Sequence, residues 1–465
     1  MNRRNFLRLT GATLAASALQ AQQDKPNVLL ILADDLGWGD LGCYGNKEIQ
    51  TPNLDKLATQ CTIFNQYYSN SPVCSPSRTA WITGQFPARH KIHGHLATAE
   101  QNARRGMPNW LDPSVVTLPG LLQKAGYATA HFGKWHLGSG EGAPTPAAYG
   151  FDEHKAVNSS GNAWKEETED PFFRANSTKL IVDEAITFIE KNKGKPWYLN
   201  VWPLLPHAIL DPTPEQMKPY EKYLPGTPNH KGAKVVYYSS VTALDTEIGR
   251  LLNKLDELGV SKTTIVVFSS DNGPEDIHVN NASHSAIGSA GPFRGRKRSL
   301  YEGGVRLPLM VRLPGRTKAN HVEPNAVITA VDFLPTVCKI ANVNLPKNLA
   351  LDGEDVRFQL AGMSSKRKKP LFWQWRFNIP GDLINRSPML AVRDGEWKLL
   401  MNPDRSRVEL YDIAKDPSEL TNLAEVKHDM VKKLSEMLLA WHQGLPEGPL
   451  DAGAGKNDYP WPKGK

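Results

Sequence analysis

The sequence predicts an α/β fold: a doubly wound, mostly parallel sheet flanked by helices, followed by a smaller C-terminal subdomain of antiparallel sheet plus helix. Three observations carry this reading. Four continuous apolar runs each stop at ionisable residues. A long amphipathic segment lies between two of them, and from about Pro346 the chain changes to short strand-like runs separated by turn residues. With 40% hydrophobic residues there is enough apolar material for a sizeable core, which excludes a disordered or fibrous chain.

The first run, NVLLILADD (27–35), ends at Asp34 and Asp35. YATAHFGKWHLG (127–138) ends at Lys134 and His136, and WYLNVWPLLPH (197–207) ends at His207. TTIVVFSSDNG (263–273) ends at Asp271 and Asn272. Unbroken β-rich runs of this kind fit strands buried on both faces, as in a parallel sheet covered by helices. Between the third and fourth runs, Val241, Leu244, Ile248, Leu252, Leu255 and Leu258 recur at helical spacing and Gly259 closes the pattern. Strand, helix, strand with a helix-length crossover is the doubly wound signature, and ligands of such sheets bind outside the carboxyl ends of the strands. Taken singly, each ionisable residue has an ordinary explanation: a cap, an Asp-Asn-Gly turn, a surface lysine, a core histidine. Their shared position at strand ends favours a site.

Residues 346–447 form the expected C-terminal subdomain. PLFWQWR, PMLAVRDG, WKLLMNP and VELYDI read as four short strands, and Leu423, Val426, Met430, Leu434, Leu438 and Trp441 as the apolar face of a last helix. The tail, 448–465, is rich in Gly, Pro and Lys and is expected to lie extended over the surface. Residues 24–345 make up the α/β domain. Residues 1–22, with Arg3-Arg4, a short apolar run and small residues, read as a twin-arginine-like export signal cleaved between Ala18 and Gln22. The apolar run is too short to span a membrane, so the chain is expected in the periplasm or outside the cell, with no transmembrane segment. Removing the signal takes three arginines from a formal charge of +7, leaving a mildly basic protein suited to an anionic substrate. Nothing points to nucleic acid. Four cysteines, Cys43, Cys61, Cys74 and Cys338, exclude a dense disulfide framework, and export permits one pair among them.

Asp34, Asp35, Asp271 and Asn272 form an all-oxygen set, which favours calcium, and magnesium less, over zinc. Two adjacent aspartates can share one ion only if the chain turns at once after the strand, and Leu36-Gly37-Trp38-Gly39 supplies that turn. The remaining feature is SNSPVCSPSRTAWITGQ (69–85), where Pro72 and Pro76 bracket Cys74 and Arg78 follows four positions later. Proline pushes its preceding residue away from the helical region, so the segment is expected to run irregular, with the thiol exposed, until a helix starts near Ser77.

Within that stretch, CSPSRTAWITG resembles the Cys-x-Pro-Ser-Arg…Thr-Gly signature of the type I, formylglycine-dependent sulfatases of the alkaline-phosphatase-like superfamily. ADDLGWGDLGCYG, TPNLDKLA, GKWHLG, SDNG, GRKRSLYEGGVRLPLMVRLPG and ELYDIAKDPSELTNLA follow in the order of that family, from Asn27 to the last helix. The resemblance implies that a formylglycine-generating enzyme converts Cys74 to formylglycine, whose hydrated form attacks the sulfur of a sulfate ester. By matching positions, Asp34, Asp35, Asp271, Asn272 and the oxygen of modified Cys74 would hold one calcium ion. Arg78 and Lys134 would hold the diol and neutralise developing charge. His207 with Lys297 would protonate the leaving oxygen, and His136 would take the proton that lets the sulfo-enzyme collapse. The sequence departs from the family at Ile209, where a proline commonly follows the histidine by two positions, and Lys297 sits among Arg294, Arg296 and Arg298.

The reading is therefore an exported sulfatase acting on sulfated carbohydrate, polysaccharide or glycosaminoglycan-like. An arylsulfatase of broad specificity is the alternative, as is a phosphate or phosphonate monoester hydrolase on the same scaffold; the latter would more usually carry Ser or Thr at position 74 and more histidines. A glycan-binding protein with a dead site would have lost Cys74 or the acidic cluster, and neither is lost. Trp110, Trp164, His93, His95, Arg104, Arg105 and Arg294 are loop residues of the type that lines a sugar subsite.

Overall fold

The computed structural model describes residues 25–226, 231–276, 283–363, 365–378 and 383–457, so the export segment 1–22 lies outside the described residues. Eight strands form the large sheet: β1 (Asn27–Ala33), β2 (Thr62–Tyr68), β3 (Ala128–Lys134), β4 (Glu153–Val157), β5 (Trp197–Trp202), β6 (Thr264–Ser270), β7 (Arg306–Arg312) and β8 (His321–Thr329). Their order is β4-β3-β5-β1-β6-β7-β2-β8. The four apolar runs of the sequence are β3, β5, β1 and β6, adjacent and all parallel, whereas β7 pairs antiparallel with both β6 and β2.

The burial of β1 explains its unbroken hydrophobicity. Leu29, Ile31 and Ala33 face one core, and Val28, Leu30 and Leu32 face the other. The first core is closed by helices α1 (Pro52–Gln60), α4 (Phe173–Asn192) and α5 (Ala233–Glu257). The second is closed by α2 (Cys74–Thr83), α3 (Leu118–Lys124) and α6 (Phe333–Ile340). In α5 the predicted face holds: Val241, Leu244, Ile248 and Leu255 are buried, and Gly259 takes the positive φ, 70°, that stops the helix.

Strands β9 (Leu371–Gln374), β10 (Leu390–Asp394), β11 (Trp397–Met401) and β12 (Glu409–Asp412) make a second, wholly antiparallel sheet in the order β12-β11-β10-β9. Helix α7 (His428–Gln443) covers it through Leu434 and Leu438. The helix begins later than its apolar spacing suggests. Leu423 is tied by its amide to the Leu410 carbonyl and Val426 is exposed, so neither belongs to it. The tail is not merely draped on the surface: Ala454 is buried, and Asp451 hydrogen-bonds the 376–378 strand extension. The four cysteines are all unpaired. No helix among the described residues is long and apolar enough to cross a membrane.

A buried ionic network joins the two sheets. Glu302, ahead of β7, accepts from Tyr68 Oη at 2.5 Å, Arg306 at 3.2 Å and Lys398 Nζ of β11 at 2.8 Å. Lys398 also reaches Glu419 at 3.0 Å, and a Glu419 oxygen accepts the Glu302 amide at 2.6 Å. Burial opposes the charge of Glu302, yet Lys398, Arg306 and Arg393 hold its carboxyl down at about 2; burial wins at Glu419, which sits at about 7. Lys398 is therefore the shared counter-charge. Lys398→Met is expected to lower unfolding free energy in urea by about 3–5 kcal/mol, because a buried charge loses its partner. A loss under about 1 kcal/mol would show that the network orients the sheets without stabilising them.

Candidate active site

At the carboxyl end of β1 the chain must place two consecutive side chains on one side, although neighbours in a strand point oppositely. The backbone resolves this at Asp35, whose φ is +63°, in the left-handed region that aspartate tolerates better than most residues. Hydrogen bonds fix the turn. The Asp35 amide donates to Asp271 Oδ1 at 3.1 Å, the Leu36 amide to Ser270 Oγ at 3.0 Å, and the Gly37 amide to Asp40 Oδ2 at 2.7 Å. Gly37 lies so close to the neighbouring chain that a Cβ there would sit 2.2 Å from the Ser289 carbonyl oxygen, so only glycine fits.

Helix α2 opens at Cys74, not at Ser77. Pro76 falls in the first turn, where a missing N–H costs nothing. All ten residues of α2 are buried and Cys74 is only 2% exposed, contrary to the exposed thiol expected from its irregular flank. Its Sγ lies 3.7 Å from Asp34 Oδ1. Arg78, one turn on, gives Nε and a terminal nitrogen to Asp271 Oδ2 at 3.0 and 2.7 Å, approaches Asp34 at 3.5 Å, and lies over the Trp202 ring.

Each aspartate of the pair has its own lysine. Lys134, ending β3, donates to both oxygens of Asp34 at 2.9 and 2.7 Å; Lys297 donates to both oxygens of Asp35 at 2.6 Å. Asn272 Nδ2 adds a bond to Asp35 Oδ1 at 2.7 Å, while Asn272 Oδ1 is buried with no hydrogen-bond partner. One ligand atom each from Asp34, Asp35, Cys74 and His207 falls within a 4.8 Å span. Three carboxylates are thus matched by three cations, with an orphaned amide oxygen beside them. An oxygen-rich cluster with an unsatisfied acceptor is the donor chemistry that a hard divalent cation takes.

The electrostatics split the pair. Burial would raise both acids, but at Asp34 Lys134, His207, Arg78 and Lys297 prevail and its carboxyl is held well below the usual range. At Asp35 burial and the charge of Asp34 prevail over Lys297, raising it to about 7. Burial also pushes the Cys74 thiol up to about 12, against Lys134 and Lys297.

The two histidines differ. His207 Nε2 lies 3.7 Å from Asp35 Oδ2, and burial holds its imidazole well below the usual range against the pull of Asp34. His136, at a φ of +58° just beyond β3, turns Nε2 toward the Leu96 carbonyl at 3.1 Å and leaves Nδ1 buried without a partner. It makes no hydrogen bond to Cys74 or the aspartates.

The basic loop sorts itself out structurally. Arg294 bonds Tyr411 and the Glu419 carbonyl, Arg296 bonds the backbone carbonyls of Glu275 and Ala286, and Arg298 pairs with Glu275. Lys297 is the cation of the four that reaches Asp35. Glu275 and Arg174 carry no signal in the sequence, and Asp40 lies within ADDLGWGDLGCYG without a role of its own there. Glu275 stands 3.7 Å from Lys297, and Arg174 ties down the His207 loop through the Leu204, His207 and Ala208 carbonyls. Of the loop residues considered for a sugar subsite, Trp164 is buried beside Lys155, His93 is buried, and Trp110 bridges Gly138. Arg104 is exposed beside Glu100, and Arg105 holds His95 while lying over Phe377. The cleft next to Lys297 is lined instead by Arg298, Trp375, Phe377, Asn385 and Arg386.

Residues 26–343 match the family model described as Sulfatase, and residues 291–443 match that described as N-sulphoglucosamine sulphohydrolase, C-terminal. The chain is 31% identical to N-acetylgalactosamine-6-sulfatase of Mus musculus, over 94% of this chain and 82% of that protein. It is 30% identical to arylsulfatase A of Bos taurus, over 96% of this chain and 94% of that protein. The structure of Ps i-CgsB in complex with k-i-k-neocarrahexaose superposes with a TM-score of 0.75 at 25% identity, covering 90% of this chain and 92% of that one.

Asp40 provides a test of the turn that positions this cluster. Burial raises its carboxyl to about 6 despite hydrogen bonds from Tyr237, Ser289 and Gly37. A raised folded value means the stabilisation is complete below the unfolded value of 3.8 and disappears as pH climbs through 6. Ionising Asp40 therefore costs the fold about 3 kcal/mol between pH 4 and pH 7. Asp40→Asn lacks this slope, so its urea stability is expected to gain on the wild type across that interval. A difference that stays constant with pH would refute the buried acid.

Proposed function

The chain belongs to the sulfatase family and hydrolyses sulfate esters, and from that premise we propose that its substrate is a sulfated glycan, met outside the cytoplasm after export through residues 1–22. The observation that carries the mechanism is the placement of Cys74 beside Asp34, within a set of three carboxylates each answered by its own buried cation. Conversion of Cys74 to formylglycine by a formylglycine-generating enzyme gives that position a hydrated aldehyde whose hydroxyl is the nucleophile.

Asp34, Asp35, Asp271 and Asn272, with the oxygen of modified residue 74, would hold one calcium ion. When bound, it withdraws electron density from sulfate oxygens and favours the ionised hydroxyl. Because Lys134, Lys297 and Arg78 already balance the three acids, a divalent ion leaves the site net positive, complementary to a sulfate monoester. Arg78 and Lys134, immobilised on Asp271 and Asp34, orient residue 74 and stabilise charge building on the sulfate. Lys297, with His207 across Asp35, donates a proton to the departing sugar oxygen. His136 accepts the proton from the second hydroxyl of residue 74, its buried Nδ1 being uncommitted to any other group. Expulsion of sulfate leaves the aldehyde at residue 74, and addition of one water restores the diol and closes the hydrolysis.

Peptide mass spectrometry of residues 60–90 from active protein is expected to show Cys74 lighter by H₂S and heavier by one oxygen. Cys74→Ala is expected to lower sulfate release by at least about 10⁴-fold; an intact thiol in fully active enzyme contradicts the formylglycine reading. Chelation is expected to abolish sulfate release. Calcium at 100 times its Kd should restore it and add about 2.7 kcal/mol of stability. Equal rates and melting temperatures with and without calcium would rule out the ion.

A further inference from the structure

Beside Lys297, between the large sheet and the C-terminal sheet, opens a narrow cleft. One acid, Asp276, engaged by Asn385, and three cations line it: Lys297, Arg298 and Arg386. Their electrostatic states are different. Lys297 is committed to both oxygens of Asp35. Arg298 meets Glu275 with both of its terminal nitrogens. Arg386 has no carboxylate partner among the described residues, and its Nε is buried with no acceptor. A buried donor without an acceptor is costly to leave unmade, the more so on a charged group.

The rest of the segment holds Arg386 firmly. Asn385 donates to Asp276 Oδ2 at 2.8 Å, and Ser387 Oγ accepts the Leu300 amide at 2.9 Å. The Arg386 carbonyl accepts from Arg407 at 3.0 Å and from Asn457 at 3.3 Å. These contacts fix the backbone and leave the guanidinium uncommitted. Trp375 and Phe377, which also line the cleft, meet edge to face at 5.3 Å and are almost wholly buried, so they make its apolar floor.

A guanidinium grips a carboxylate or a sulfate through paired N–H groups. We propose that Arg386 binds a second anionic group, a carboxylate or a further sulfate, on the same glycan whose sulfate ester is cut, so that the preferred substrate is multiply charged. This rests on the sulfatase reading above.

The test uses the full chain as wild type, Arg386→Gln and Arg386→Lys. Each is assayed on three disaccharides that share one sulfated sugar and differ in a neutral, uronic or sulfated neighbour. Wild type is expected to prefer a charged neighbour by about tenfold in kcat/KM, chiefly through KM. Arg386→Gln should erase that preference and Arg386→Lys should keep part of it. Because the ratio is taken within each variant, a lower folded fraction cancels. A loss confined to the uronic neighbour assigns a carboxylate, and one confined to the sulfated neighbour assigns a sulfate. An active wild type whose preference is the same in both variants overturns the proposal. A wild type that releases sulfate from an aryl sulfate but from none of the three removes the sulfated-glycan reading beneath it.

Discussion

Two adjacent carboxylates, buried side by side and each gripped by a lysine from a different part of the chain, are the constraint that the surrounding structure serves. Like charges a few ångströms apart repel by about 4 kcal/mol even at an effective dielectric of 20. Asp34 and Asp35 coexist because Lys134 and Lys297 each take both oxygens of one of them. Lys134 arrives because β3 lies two strands from β1 in a parallel sheet, with β5 between them. Lys297 arrives on a loop that owes nothing to the sheet's register.

That loop explains the C-terminal sheet. The Lys297 amide is bound to the Pro274 carbonyl, the Arg298 amide to that of Pro72, and the Leu300 amide to Ser387 of the C-terminal part. The basic loop is therefore clamped between the strand ends on one side and the second sheet on the other. The Glu302–Lys398–Glu419 network sits directly behind it. Precision at the site comes from elements that never touch the reacting atoms.

Much of this was legible in the residues. The parallel strands declared themselves because a strand buried on both faces has no polar alternation to confuse with a helix, and their ends carried Asp34, Lys134, His207 and Asp271. The start of α2 was misplaced because a proline restricts the residue before it yet suits a helix's first turn, and those two rules point opposite ways at Ser75 and Pro76. The face of α7 was overextended because Leu423 and Val426 happen to keep helical spacing outside the helix. Glu275 and Arg174 could not be found, since their roles come from long-range packing. Trp375 and Phe377 were hidden too, because their aromatic run reads equally well as core strand.

The latch between the sheets has a consequence for how the chain is made. Glu302 is separated from Lys398 by 96 positions, and its carboxylate is fully buried when the fold is complete. During synthesis from the N-terminus, the first eight strands emerge with Arg306 beside this acid but without Lys398, so its buried charge is only partly answered. The last quarter of the polypeptide, which brings Lys398 and Glu419, completes the network.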